Sequence, residues 1–103
     1  MVETLKDTEF SRTYSEFYED GTTMYKFSTI KRDGEEIKHG ECKKYYANGK
    51  IEYEGYYKNG VKDGKWITYY NTGRIKVVCH YKDGKMESKE TYNDRVKIFN
   101  EKD

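Results

Sequence analysis

The sequence predicts an all-β fold: an elongated, twisted antiparallel β-meander built from repeated hairpins. Three observations predict it. Residues 40–63 laid over 64–87 coincide as two 24-residue blocks, with Tyr45-Tyr46 on Tyr69-Tyr70, Gly49 on Gly73, Ile51 on Ile75, Tyr57 on Tyr81 and Gly60 on Gly84. A fixed period of this size marks repeat architecture. Turn dipeptides recur along the chain: Asp20-Gly21, Asp33-Gly34, Asn48-Gly49, Asn59-Gly60 and Asp83-Gly84, with Thr72-Gly73 and Asn93-Asp94 in matching places. Such pairs suit two-residue type I′ hairpins, whose central residues need positive φ. Proline is absent, so every strand can donate to its ladder.

Taken in order, the chain opens with residues 1–11, which show no clean period, and 13–18 reads as the first strand. A second strand over 25–31 closes at Asp33-Gly34, making 12–39 a degenerate first repeat. Gly21 to Gly34 spans 13 residues against 11 for Gly49 to Gly60 and Gly73 to Gly84, which predicts a bulge or a longer loop. Repeats follow at 40–63 and 64–87. Residues 88–103 read as a shortened capping hairpin around Asn93-Asp94, within a single domain of 103 residues.

Two-residue turns set the register. They place Tyr46 opposite Ile51, Lys44 opposite Tyr53, Cys42 opposite Gly55, Tyr57 opposite Lys62, Tyr53 opposite Trp66, Tyr70 opposite Ile75, Thr68 opposite Val77, Trp66 opposite Cys79 and Tyr81 opposite Met86. All these pairs share one apolar face, and a one-residue slip would break the alternation. Something is expected to cover that face: curling of the sheet, residues 1–11, a second copy in a homodimer, or a partner. The other face carries Lys43, Tyr45, Glu52, Glu54, Tyr56, Lys65, Ile67, Tyr69, Lys76, Val78, His80 and Lys82. Gly60, at a turn, is expected to tolerate valine less well than Gly55, in a strand.

Charged residues make up 38% of the chain and hydrophobic ones 34%, so a thick aliphatic core is excluded. Aromatics at 17% are too many for a disordered tail, and apolar burial falls to tyrosine rings with their hydroxyls at the edge. Net charge is −3 over residues 1–39 and +4 over 40–103, which is not the basic excess of a nucleic-acid binder. Interleaved Tyr45, Tyr56 and Tyr69 could suggest a base-stacking platform, but Glu52 and Glu54 lie among them. Met1-Val-Glu-Thr-Leu-Lys lacks the apolar region of a signal peptide. The expectation is a soluble cytoplasmic chain with reduced thiols.

No catalytic constellation is present. Glu52 and Glu54 find cross-strand partners in Tyr45 and Lys43, and Glu54 in Lys65 on its other side. The glycines serve turns and precede no helix, so no phosphate loop or cofactor motif is seen. Cys42 and Cys79 fall three strands apart, roughly 14 Å, too far for a disulfide. Cys79 and His80 point to opposite faces, so His39, Cys42, Cys79 and His80 form no metal set.

Tyr53-x-Gly-x-Tyr-Lys-Asn-Gly-x-x-Asp-Gly-x-Trp66 resembles the MORN repeat, and most closely its bacterial variant. Tyr45-Tyr-Ala-Asn-Gly49, Tyr57-Lys-Asn-Gly60 and Tyr81-Lys-Asp-Gly84 match that variant's signatures. The resemblance is clear over 40–87, partial over 12–39 and poor beyond 88. It implies a hairpin-repeat fold and roles in protein contacts, scaffolding or lipid association, and similar proteins are often labelled antitoxin components. The reading is a non-enzymatic protein-binding module acting as a stoichiometric inhibitor: an antitoxin, an immunity protein or a phage-coded blocker of a host defence nuclease. The alternative is a membrane- or lipid-associated scaffold piece, although no polybasic cluster supports it. The expected partner surface is Tyr45, Tyr56, Ile67, Tyr69 and Val78, ringed by Lys43, Lys65 and Lys76, because tyrosine brings a large rigid body to interfaces.

Overall fold

The computed structural model describes residues 11–93, which form one antiparallel sheet of eight strands. These are β1 (Ser11–Phe17), β2 (Thr23–Arg32), β3 (Glu35–Tyr45), β4 (Ile51–Lys58), β5 (Val61–Lys62), β6 (Gly64–Tyr69), β7 (Ile75–Lys82) and β8 (Lys85–Thr91). Their order is β1-β2-β3-β4-β6-β7-β8, with β5 paired to β4. The meander is therefore as expected. The body measures 63 × 37 × 18 Å, and 18 Å is the depth of one sheet with its side chains. Among the described residues no layer covers the apolar face. The turn expected at Asn93-Asp94 lies outside the described residues beyond Asn93.

Two kinds of turn alternate, where the sequence suggested one. Asp33-Gly34, Asn59-Gly60 and Asp83-Gly84 are type I′, with φ of 52° and 81°, 50° and 90°, and 52° and 83°. At Asn48-Gly49 and Thr72-Gly73 only the glycine has positive φ, 92° and 101°. There the loop holds three residues: Tyr46 N–H donates to Lys50 C=O and Gly49 N–H to Tyr46 C=O, at 2.8 and 2.9 Å. Asp20-Gly21 behaves the same way, with Tyr18 N–H on Thr22 C=O at 2.8 Å. The physical reason is local at two of these turns. The side-chain oxygens of Asp20 and Asn48 accept the N–H of Thr22 and Lys50, both at 2.9 Å, an Asx turn that competes with type I′.

Each three-residue loop is followed by a bulge, at Met24, Glu52 and Lys76. Loop and bulge cancel, so beyond them the pairs are those of a two-residue turn. Lys44–Tyr53, Cys42–Gly55, Thr68–Val77 and Trp66–Cys79 therefore pair as expected. Between loop and bulge they do not: Ile51 pairs with Tyr45, not Tyr46, and Ile75 with Tyr69, not Tyr70. The bulge residue Glu52 bonds to Lys44 at 3.2 Å rather than facing Tyr45.

A wider bulge corrects the register on the other edge. Tyr57 faces Lys62 as expected and Tyr81 faces Met86, but Tyr53 faces Thr68, not Trp66, and Glu54 faces Ile67, not Lys65. Two extra residues enter at Gly64, φ 77°. The same shift occurs at Gly40, φ 110°, where Thr29–Lys38 gives way to Phe27–Cys42. A shift of two keeps every side chain on its face, so the alternation survives although the partners move. The longer first repeat needs no special loop. Its extra residues lengthen the β2–β3 arm, which pairs Arg32 through Thr29 with Glu35 through Lys38.

Among the described residues few are buried: Thr29, Ile30, Cys42, Trp66 and Val78. Trp66 is 7% exposed without a second layer above it. It lies on Gly55, where an added Cβ would stand 2.1 Å from its ring. The rings of Tyr53 and Tyr57 flank it at 6.1 and 5.1 Å, and the Lys62 ammonium lies 4.7 Å above its centroid. Burial here is sideways, by ring against ring. This overturns the expectation for Gly55 and Gly60. A side chain at Gly55 collides with Trp66, whereas at Gly60 it meets nothing within 4 Å and only the φ of 90° opposes it.

Candidate binding faces

Strands β3, β4, β6 and β7 bring most of the expected partner surface together. The rung Lys43–Glu54–Ile67–Val78 crosses four strands, with Tyr56 beside Glu41 and Lys65 beside His80. Glu41, Lys43, Glu54, Tyr56, Lys65 and Ile67 line a hollow of about 230 Å³. Tyr45, paired with Ile51, does not line the hollow.

The residues in this set are not equivalent. Tyr56 is 41% exposed, and the His39 ring meets its edge at 6.1 Å. Tyr69 donates its hydroxyl to Glu54 at 2.6 Å; burial first, then that carboxylate, push its phenol up to about 12. Val78 is 8% exposed, so this face carries part of the packing. Lys43 reaches Glu54 at 3.9 Å. Lys76 is a bulge residue, and its ammonium sits 5.5 Å over the Tyr70 ring, away from the Tyr56 hollow where the sequence had placed it.

The opposite face holds features the sequence reading passed over. Tyr53, Tyr57, Tyr81, Trp66 and Lys62 line a hollow of about 180 Å³ with Thr68 and Cys79. The Lys62 ammonium lies over Trp66 and, at 5.1 Å, over Tyr81. Lys38 repeats the arrangement over Tyr57 at 5.1 Å and Phe27 at 5.2 Å, and donates to the Tyr25 hydroxyl at 3.4 Å. Desolvation raises the phenols of Tyr25, Tyr53 and Tyr57 above their ordinary value. The signal was in the repeat: Lys38 and Lys62 are 24 residues apart, and Met86 takes the third place.

Hydroxyls of the tyrosines that open the three-residue loops also bond to the chain one repeat further on. Tyr46 donates to Tyr69 C=O at 2.7 Å and Tyr70 to Tyr92 C=O at 2.8 Å, and Tyr18 bonds likewise to Tyr45 C=O. On the other edge, Gly60 and Gly84 N–H groups donate to Lys38 and Lys62 C=O, at 2.8 and 3.1 Å. The cysteines are free, Cys42 buried and Cys79 half-buried, with Trp66 between them.

Repeated hairpins tied by tyrosine hydroxyls, with both sheet faces open among the described residues, define a hairpin-repeat architecture. Residues 38–59 and 62–83 each match the family model of the MORN repeat variant. These segments sit two residues ahead of the 40–63 and 64–87 blocks at their starts. MORN repeats are non-catalytic modules that bind proteins or membrane lipids. No curated protein and no solved structure matches the chain.

Proposed function

We propose that the chain is a non-catalytic protein-binding module of the cytoplasm that works as a stoichiometric inhibitor. In this reading it occludes another macromolecule as an antitoxin, an immunity protein or a phage-coded blocker of a host defence nuclease does. The observation that carries the reading is the Tyr56 hollow. An exposed tyrosine stands over about 230 Å³ of space rimmed by Lys43, Lys65, Glu41 and Glu54. Mixed charge around a rigid aromatic body is the composition of a protein-recognition surface. Tyr56, Lys65 and Ile67 are its contact residues, while Tyr69 and Val78 support them from below.

A partner captured from the native host should re-form a 1:1 complex with the purified chain. Tyr56→Ser and Lys65→Glu should each weaken that complex at least tenfold, about 1.4 kcal/mol, without lowering the melting temperature. Anionic vesicles should not sediment the chain at physiological salt. Sedimentation that persists there, with no stoichiometric protein complex, would favour the membrane-scaffold reading instead.

A further inference from the structure

We propose that the Trp66 hollow, on the opposite face, is a second binding site, and that it takes acidic side chains from an extended segment of a partner protein. This goes beyond the Tyr56 reading and is independent of it. Among the residues lining the hollow, Lys62 is the sole charge and no carboxylate is present. Of the neighbouring lysines on this face, Lys44 differs in that respect and Lys38 does not. Lys44 is held by Glu52 at 3.2 Å, whereas Lys62 meets the faces of Trp66 and Tyr81. Lys38 likewise meets rings and a phenol oxygen. An ammonium on a ring face is attracted by the quadrupole but keeps its outer N–H donors free.

Lys38 and Lys62 lie on strands two places apart, roughly 10 Å at the usual strand spacing. An anion entering from above would meet the Lys62 ammonium, with the phenols of Tyr57 and Tyr81 at the wall and Lys38 on the far side, over the Tyr57 ring. Charge-assisted bonds of this kind recompense a carboxylate for lost water. Nucleic acid fits less well. Base stacking needs an open ring face, and Trp66 is 7% exposed, with Gly55 beneath and Lys62 above. A hollow of about 180 Å³ is also smaller than the 300–1,000 Å³ of pockets that enclose a whole small molecule. A single carboxylate-bearing side chain suits it better.

Trp66 is the one tryptophan in the chain, so its fluorescence reports directly on this hollow. Titration with a hexaglutamate peptide should change that emission saturably. Hexalysine should do nothing, and inorganic phosphate and an oligothymidylate should bind at least tenfold more weakly. Lys62→Met should cut hexaglutamate affinity tenfold or more with an unchanged melting temperature, since Met86 already stands at the equivalent place. Should that variant melt early, Tyr81→Phe, which removes one hydroxyl, should still weaken the peptide at least threefold. A flat titration to millimolar peptide overturns the proposal, as does a Lys62→Met variant that binds as well as the parent. It is equally overturned if phosphate, the oligonucleotide or anionic vesicles bind more tightly. A protein-concentration-dependent emission change without peptide would assign the face to a second copy instead.

Discussion

Strands β6 and β8 hold the same place in successive repeats but begin differently. At Gly64 the ladder gains two residues, and Trp66 stays on the face of Tyr57 and Cys79. Just before Ser88, the residue 24 after Gly64, it gains one, Glu87: Tyr81 pairs with Met86 but His80 with Ser88. A shift of one turns the strand over, so Cys79 faces Lys89, and Glu90, which is 24 residues after Trp66, falls opposite Val78. Gly64 has φ 77°, and Ser88 is not among the residues with positive φ. The face of a single-layer repeat is thus handed on by a glycine at the bulge. Where the glycine ends, the aromatic row ends, and β8 is exposed along its length.

The largest expected effects break the β6 side of this comparison. Gly55→Val should cost about 3–5 kcal/mol, because Trp66 must leave its seat, and Trp66→Ala should cost a similar amount. Urea melts would read both, while Gly60→Val should lose only about 1–2 kcal/mol from its left-handed backbone. Gly64→Ala should fall in that smaller range too, since nothing lies within 4 Å of its added Cβ. On the β8 side, Ser88→Gly should change stability by less than about 0.5 kcal/mol, as an exposed strand residue does. Thr68→Val should be similarly mild.

Alkaline titration sharpens the contrast between Tyr69 and Tyr92. Both phenols are raised, Tyr69 by burial first and then by Glu54, and Tyr92 chiefly by its bond to Glu90. A pKa raised on folding means that stability is full below about pH 10 and is lost as pH climbs through the folded value, about 12 for Tyr69. Denaturation midpoints should therefore drop between pH 10 and 12. Tyr69→Phe should blunt that drop, and Tyr92→Phe, at an exposed site, should leave it unchanged.

The repeat, the meander and the two-face alternation were legible because each rests on period and turn chemistry. Trp66–Cys79, Cys42–Gly55 and Lys65–His80 all pair as the turns imply. The Gly64 bulge was not legible, because the register was carried straight through Gly64 from the Asn59-Gly60 turn. A two-residue shift also leaves no trace in the alternation. For the same reason Trp66 was set against Tyr53, and the role of Gly55 as its seat went unseen. Lys43, Tyr56, Lys65 and Ile67 line one hollow, as the alternation implies. Lys76 does not, since a bulge residue leaves the alternation.

The central claim is that Trp66 is buried by lying on Gly55, and a double-mutant cycle tests it most directly. Gly55→Ala should cost about 2 kcal/mol or more in the parent and less than about 0.5 kcal/mol in the Trp66→Ala background. Equal costs in both backgrounds would contradict the account and return Trp66 to a place opposite Tyr53.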